Sequence, residues 1–95
     1  MSEIQIESRH LEIVKSILSK HLDDVYVFGS RSKRTAQKFS DLDLVLKSDI
    51  SSTELRRLQD LFEDSDLPFK VDLVLWSNLD NSFQQHILPD LKKLP

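Results

Sequence analysis

The chain has 95 residues, 39% of them hydrophobic and 31% charged, with a net charge of −3 and no cysteine. This balance predicts a single folded domain over residues 1–95 with a thin core, and it excludes a disordered chain, disulfides and thiolate zinc sites. The acidic balance argues against a general nucleic-acid binder, no apolar run approaches a membrane span, and Met1–Glu7 lacks a signal-peptide pattern, so the expected location is cytoplasmic.

The first predicted element is a helix over residues 8–22. Leu11, Val14, Leu18 and Leu22, with Ile13 and Ile17 beside them, form one apolar stripe at helical spacing. His10 and His21 lie at its ends and are expected to be exposed or capping. Asp23 and Asp24 make the turn into a strand, Val25-Tyr26-Val27-Phe28, rich in β-branched and aromatic residues. The strand ends in Gly29-Ser30. Gly29, the only glycine, permits a sharp turn and close approach of a ligand to bare amides. A short helix is expected next, with Arg31, Lys33, Arg34 and Lys38 as nearby cations.

Ser40-Asp41-Leu42-Asp43-Leu44 opens a second strand. Asp41 and Asp43 fall on one face and Leu42, Leu44 and Leu46 on the other. Ser51 and Glu54 have capping-box spacing before a helix striped with Leu55, Leu58, Leu61 and Phe62. Pro68 must end that helix by Leu67. In a third strand over residues 70–76, Val71, Leu73 and Leu75 alternate with Asp72, Val74 and Trp76. A last helix is predicted over residues 81–94, capped by Asp80 or Asn81 and broken or kinked at Pro89.

The acids carry the chemistry. Two carboxylates on one strand face, roughly 6.5–7 Å apart along the backbone, repel each other unless a cation lies between them. If the third strand is their neighbour, Asp72 completes a three-carboxylate arrangement suited to two metal ions. The plainer reading of the alternation is an ordinary sheet with one wet face. Asp72, interrupting a second apolar run, weighs against it.

Gly29-Ser30-Arg31, then Ser40-Asp41-Leu42-Asp43-Leu44, then Val71-Asp72-Leu73 resembles the minimal nucleotidyltransferases (MNT) of the DNA polymerase β superfamily. The resemblance spans nearly the whole chain. It implies an α+β two-layer fold, with a small mixed sheet covered by helices on one face and the aspartates open on the other. It implies that Asp41, Asp43 and Asp72 are catalytic and hold two Mg²⁺ ions. Gly29, Ser30, Arg31 and Ser40 would contact the nucleotide, with ATP as substrate. Arg31 is the expected phosphate clamp, since guanidinium pairs with phosphate at two points. The chain departs from the family at Arg34, where a glycine is common.

Small MNT proteins are typically paired with a HEPN-domain toxin, an RNase. The resemblance therefore implies an antitoxin that transfers AMP to a tyrosine of a HEPN partner. Size points the same way, because 95 residues leave no domain to hold an acceptor. The alternative is a degenerate nucleotide-binding module that neutralises its partner by binding alone. A third reading, modification of a small molecule, is weakened by the missing acceptor domain.

Overall fold

A computed structural model describes residues 4–95; the reading of Met1–Glu7 lies partly outside the described residues. Four helices are α1 (Ser8–Leu18), α2 (Ser30–Lys33), α3 (Ser52–Glu63) and α4 (Asn81–Ile87), and four strands are β1 (Val25–Phe28), β2 (Leu42–Leu46), β3 (Val71–Leu75) and β4 (Lys92–Lys93). The strands form one mixed sheet in the order β3-β2-β1-β4. β2 lies parallel to β3, while β1 is antiparallel to both β2 and β4. The α+β fold expected from the sequence is present.

Alternation divides the sheet. Val25 and Val27, Leu42, Leu44 and Leu46, and Leu73 and Leu75 are buried in one cluster with Val14 and Leu18 of α1 and Leu58 and Phe62 of α3. Burial of these side chains, each contributing on the order of 1.5–3 kcal/mol, fastens both helices to that face. α3 starts where Ser51 Oγ accepts the Glu54 N–H at 3.0 Å. This is half of the expected capping box. The Glu54 carboxylate turns away to His21 and Arg57 instead of returning to the Ser51 amide.

The structure revises four expectations. The first helix stops at Leu18, and a 3-10 turn over Ser19–Asp24 carries the chain into β1. His21 is buried against Glu54 at 2.9 Å, and His10 packs edge-on against Phe69; neither is an exposed cap. The last helix ends at Ile87. Pro89 lies in a 3-10 turn over Leu88–Asp90, and the chain then returns as β4 beside β1. Finally, helices do not keep to one face. Phe83 of α4 meets Phe28 edge-to-face, and Phe28 stands opposite Asp43 on the face that carries the aspartates. Val45, on that same face, is 0% exposed.

Among the described residues no helix is long and apolar enough to cross a membrane.

Candidate active site

Register puts the acids together. Asp43 lies directly across from Asp72 in the parallel β2–β3 pair, and across from Phe28 in the antiparallel β1–β2 pair. Asp41 precedes β2 by one residue, on the same side as Asp43 by strand alternation. Asp41 and Asp72 are exposed and Asp43 is half-buried. Burial raises the Asp43 pKa above its ordinary value, and the nearby charges of Asp72 and then Asp41 raise it further. Asp43 therefore senses both of the other carboxylates.

Gly29 brings the turn up to this group. Its φ of 75° and ψ of −154° suit glycine alone, and a Cβ there would collide with Asp43 Oδ2. The bare backbone and the carboxylate share a space that a side chain would fill. Ser30 follows as the first residue of α2, half-buried.

Arg31 and Ser40 have other roles than the sequence suggests. Arg31 is 5% exposed. Its guanidinium donates to the carbonyls of Gln5 at 2.7 Å, Ser40 at 2.8 Å and Lys38 at 3.4 Å, and lies 4.1 Å over the Phe69 ring. Backbone oxygens occupy the fork that was expected to clamp phosphate. Ser40 Oγ accepts the Gln37 N–H at 2.8 Å, closing a local turn. Arg31 and Ser40 thus fix the segment that leads into Asp41. Gln5 adds a brace, since its side chain both donates to the Ala36 carbonyl and accepts from the Ala36 amide.

Two features escaped the sequence reading. Lys70 Nζ is 3.9 Å from Asp72 Oδ1, and its charge also draws the Asp43 pKa down. Its place two residues before Asp72, hence on the same strand face, was the available signal. The second is the grip of the C-terminal segment on α2. Ser32 Oγ donates to the Asp90 carbonyl, Lys92 Nζ donates to the Ser32 carbonyl at 2.8 Å, and Lys33 pairs with Asp90 at 3.5 Å. Nothing local in the sequence announces these contacts.

Arg34 ends α2 with φ 61° and ψ 33°, in the left-handed region, and its amide donates to the Ser30 carbonyl. A glycine at this position would be unstrained. That explains on physical grounds why glycine suits the end of this turn.

As the side chains stand, no three His, Cys, Asp or Glu among the described residues converge into a ready-made metal cage. The donor set still suits a hard divalent cation. It is all oxygen, lies on one face beside a bare turn, and carries like charges that a cation would neutralise. A cavity of about 650 Å³ lies elsewhere, between the N-terminal segment and the basic loop, with Ile4, Glu7, Arg34 and Phe39 in its wall. A second cavity, about 460 Å³, abuts Asp72 at the outer side of β3.

Residues 12–94 match the family described as polymerase beta, nucleotidyltransferase. The chain belongs to the polymerase β nucleotidyltransferase superfamily, in its minimal branch. It is also 40% identical over 90 residues to a probable protein adenylyltransferase, MntA, of Haemophilus influenzae, covering 90% of this chain and 79% of that relative. This MNT domain is accordingly a nucleotidyltransferase.

Proposed function

We propose that this MNT domain is a protein adenylyltransferase that acts as an antitoxin, transferring AMP from Mg-ATP to a tyrosine hydroxyl of a HEPN-domain toxin in the cytoplasm. The observation that carries the reading is the register of Asp43 against Asp72 beside the bare Gly29 turn. The likeness to a probable protein adenylyltransferase supports the choice of AMP and of a protein acceptor.

Asp41, Asp43 and Asp72 would hold the two Mg²⁺ ions, which when bound would neutralise phosphate charge and lower the pKa of the attacking hydroxyl. Gly29 and Ser30 would place the β and γ phosphates against backbone amides. The acceptor oxygen attacks the α phosphorus, the bond to the bridging oxygen breaks, and pyrophosphate leaves. Asp72, at the exposed side of the group, is the residue best placed to take the hydroxyl proton or to orient the acceptor. Arg31 acts through the backbone, by fixing the approach to Asp41.

The test combines this domain, its HEPN partner, ATP and Mg²⁺. Mass spectrometry should show the partner heavier by one AMP. Asp41→Ala and Asp43→Ala should abolish that gain, and should also weaken Mg-ATP binding in a calorimetric titration. The second reading, a binding-only module, is favoured by one feature, the strained Arg34 at the end of the phosphate turn. Neutralisation that persists in both aspartate variants, with no AMP attached, would replace the enzyme by the binder.

A further inference from the structure

We infer that Lys70 is a further catalytic residue of the transfer: its ammonium leaves Asp72 to contact the α-phosphate of the bound nucleotide, on the side from which the acceptor attacks. The inference rests on the proposed adenylyl transfer and adds the cation that works on the acceptor side.

Register carries Lys70 into the site. Leu42 lies opposite Val71 in the parallel β2–β3 pair, and the Lys70 carbonyl accepts the Leu42 amide at 2.9 Å. Asp41 and Lys70 therefore head the two strands as neighbours. Two residues on, Asp43 and Asp72 repeat the pairing, so alternation turns all four side chains to one face. The 3.9 Å between Lys70 Nζ and Asp72 Oδ1 agrees with that placement. One ammonium stands with three carboxylates.

Two cations are coupled to these acids, and their freedom differs. Arg31 feels the charge of Asp41, but it is buried, and its guanidinium is held by the carbonyls of Gln5, Lys38 and Ser40. Lys70 is coupled to Asp43, whose pKa it draws down. Its ion pair with Asp72 is long, and the two side chains are 70% and 51% exposed. An exposed pair of this kind holds a lysine weakly, and the four-carbon stem lets the ammonium sweep over its neighbours. Lys70 is therefore the cation that can move to a ligand.

The layout gives it a side. On one flank of the acids is Gly29, whose bare backbone leaves room against Asp43 for the β and γ phosphates. Lys70 is on the other flank, across β2, with β3 roughly 9–10 Å from β1 at two strand spacings. In an in-line displacement the leaving and entering oxygens lie on opposite sides of the phosphorus. The Gly29 flank holds the leaving group, so the acceptor enters on the flank of Lys70. There the ammonium, a point charge with three donors, pairs with a non-bridging α-phosphoryl oxygen. Lys70 keeps its proton throughout. The acceptor oxygen bonds to phosphorus and gives its proton to Asp72, which the departing ammonium has uncovered. The electron pair of the broken bond leaves with pyrophosphate.

Without nucleotide the same ammonium opposes a divalent cation, because both seek the same carboxylates. One substitution should therefore move two measurements in opposite directions. Lys70→Met removes the charge and keeps an unbranched stem. Calorimetric titration with Mg²⁺ alone should show binding several-fold tighter than in wild type. Labelling of the HEPN partner with α-labelled ATP should lose roughly ten- to a hundredfold in kcat, with the KM for the partner nearly unchanged. Lys70→Arg should return both measurements toward wild type. Thermal unfolding should move little, since the side chain is largely exposed, and Lys70→Gln replaces the methionine variant if that one aggregates.

Labelling by Lys70→Met at the wild-type rate overturns the catalytic role and leaves the transferase standing. A loss confined to the partner's KM also overturns it, and makes Lys70 a docking contact. An equal loss in Lys70→Arg overturns it as well, because charge would then not be what the site needs. Unchanged Mg²⁺ affinity in Lys70→Met removes the ammonium from the carboxylate group, and the inference falls. Absence of labelling by the wild-type protein sinks the transferase reading and this one with it.

Discussion

At the scale of single residues, backbone conformation and charge pull in measurable directions. Gly29→Ala is expected to cost about 1–2 kcal/mol through its positive φ. It should also displace the Asp43 carboxylate, so that Mg-ATP binding falls further than the melting temperature alone implies. Calorimetry beside thermal unfolding separates the two effects. Arg34→Gly should do the opposite. Relief of left-handed strain, about 1–2 kcal/mol, exceeds the added freedom of a glycine in the unfolded chain, about 0.4–1 kcal/mol. The net gain should raise the melting temperature by a few degrees, and unchanged stability would show that the Arg34 side chain contributes as much as its backbone costs. Asp43 carries a raised pKa, caused first by burial and then by Asp72 and Asp41. Folding therefore favours its protonated form. The penalty is absent at low pH, appears as pH rises above the ordinary value of 3.8, and is complete above the raised one. Without metal, Asp43→Asn should thus melt higher than wild type at neutral pH. Added Mg²⁺ should raise the wild-type melting temperature and leave the variant where it was.

At the scale of elements, the join between α3 and the 3-10 turn before β1 depends on Glu54. The hydrogen bond from Arg57, then that from His21, holds its carboxyl down from 4.5 to about 2. The stabilisation is complete above 4.5 and is lost as pH falls toward 2. Glu54→Gln should lower the melting temperature at neutral pH and flatten its fall across that acid window, and added salt should shrink the difference because the group is near the surface. Those elements also show what sequence can and cannot reveal. α1, α3 and the first three strands were legible because Val, Leu and Ile recur at the period of the element they build. The N-terminus of α3 was legible in Ser51, although the destination of Glu54 was not. β4 was hidden, since Lys92 and Lys93 offer no apolar alternation and their pairing is with a strand far earlier in the chain. The three aspartates could be placed from alternation and one assumption about neighbouring strands. Arg31 could not, because an arginine beside a glycine turn reads as a phosphate ligand until Gln5 and Phe69, distant in sequence, are seen to enclose it.

At the scale of the whole molecule, the sheet is built to present one carboxylate group between a covered and an uncovered side. α4 and Phe83 close the β1 side of the aspartate face, whereas Asp41 and Asp72 stand exposed. Truncating the Phe83 side chain in Phe83→Ala should uncover Phe28, destabilise the fold by about 1 kcal/mol for an aromatic that is 41% exposed, and leave Mg-ATP affinity within a few-fold of wild type; a collapse of affinity in that variant would show that α4 belongs to the nucleotide site. The turn after β1 is held from both directions of the chain, by the Gln5 segment before it and by Asp90 and Lys92 after it. During synthesis the first brace leaves the ribosome before the turn it holds, and the second follows 58 residues after Ser32. A nascent chain still short of Asp90 can bring its three aspartates into register but lacks half of the clamp on α2. Nucleotide affinity should consequently switch on only once Lys92 has emerged, and ribosome-stalled chains of increasing length would show that delay as a step.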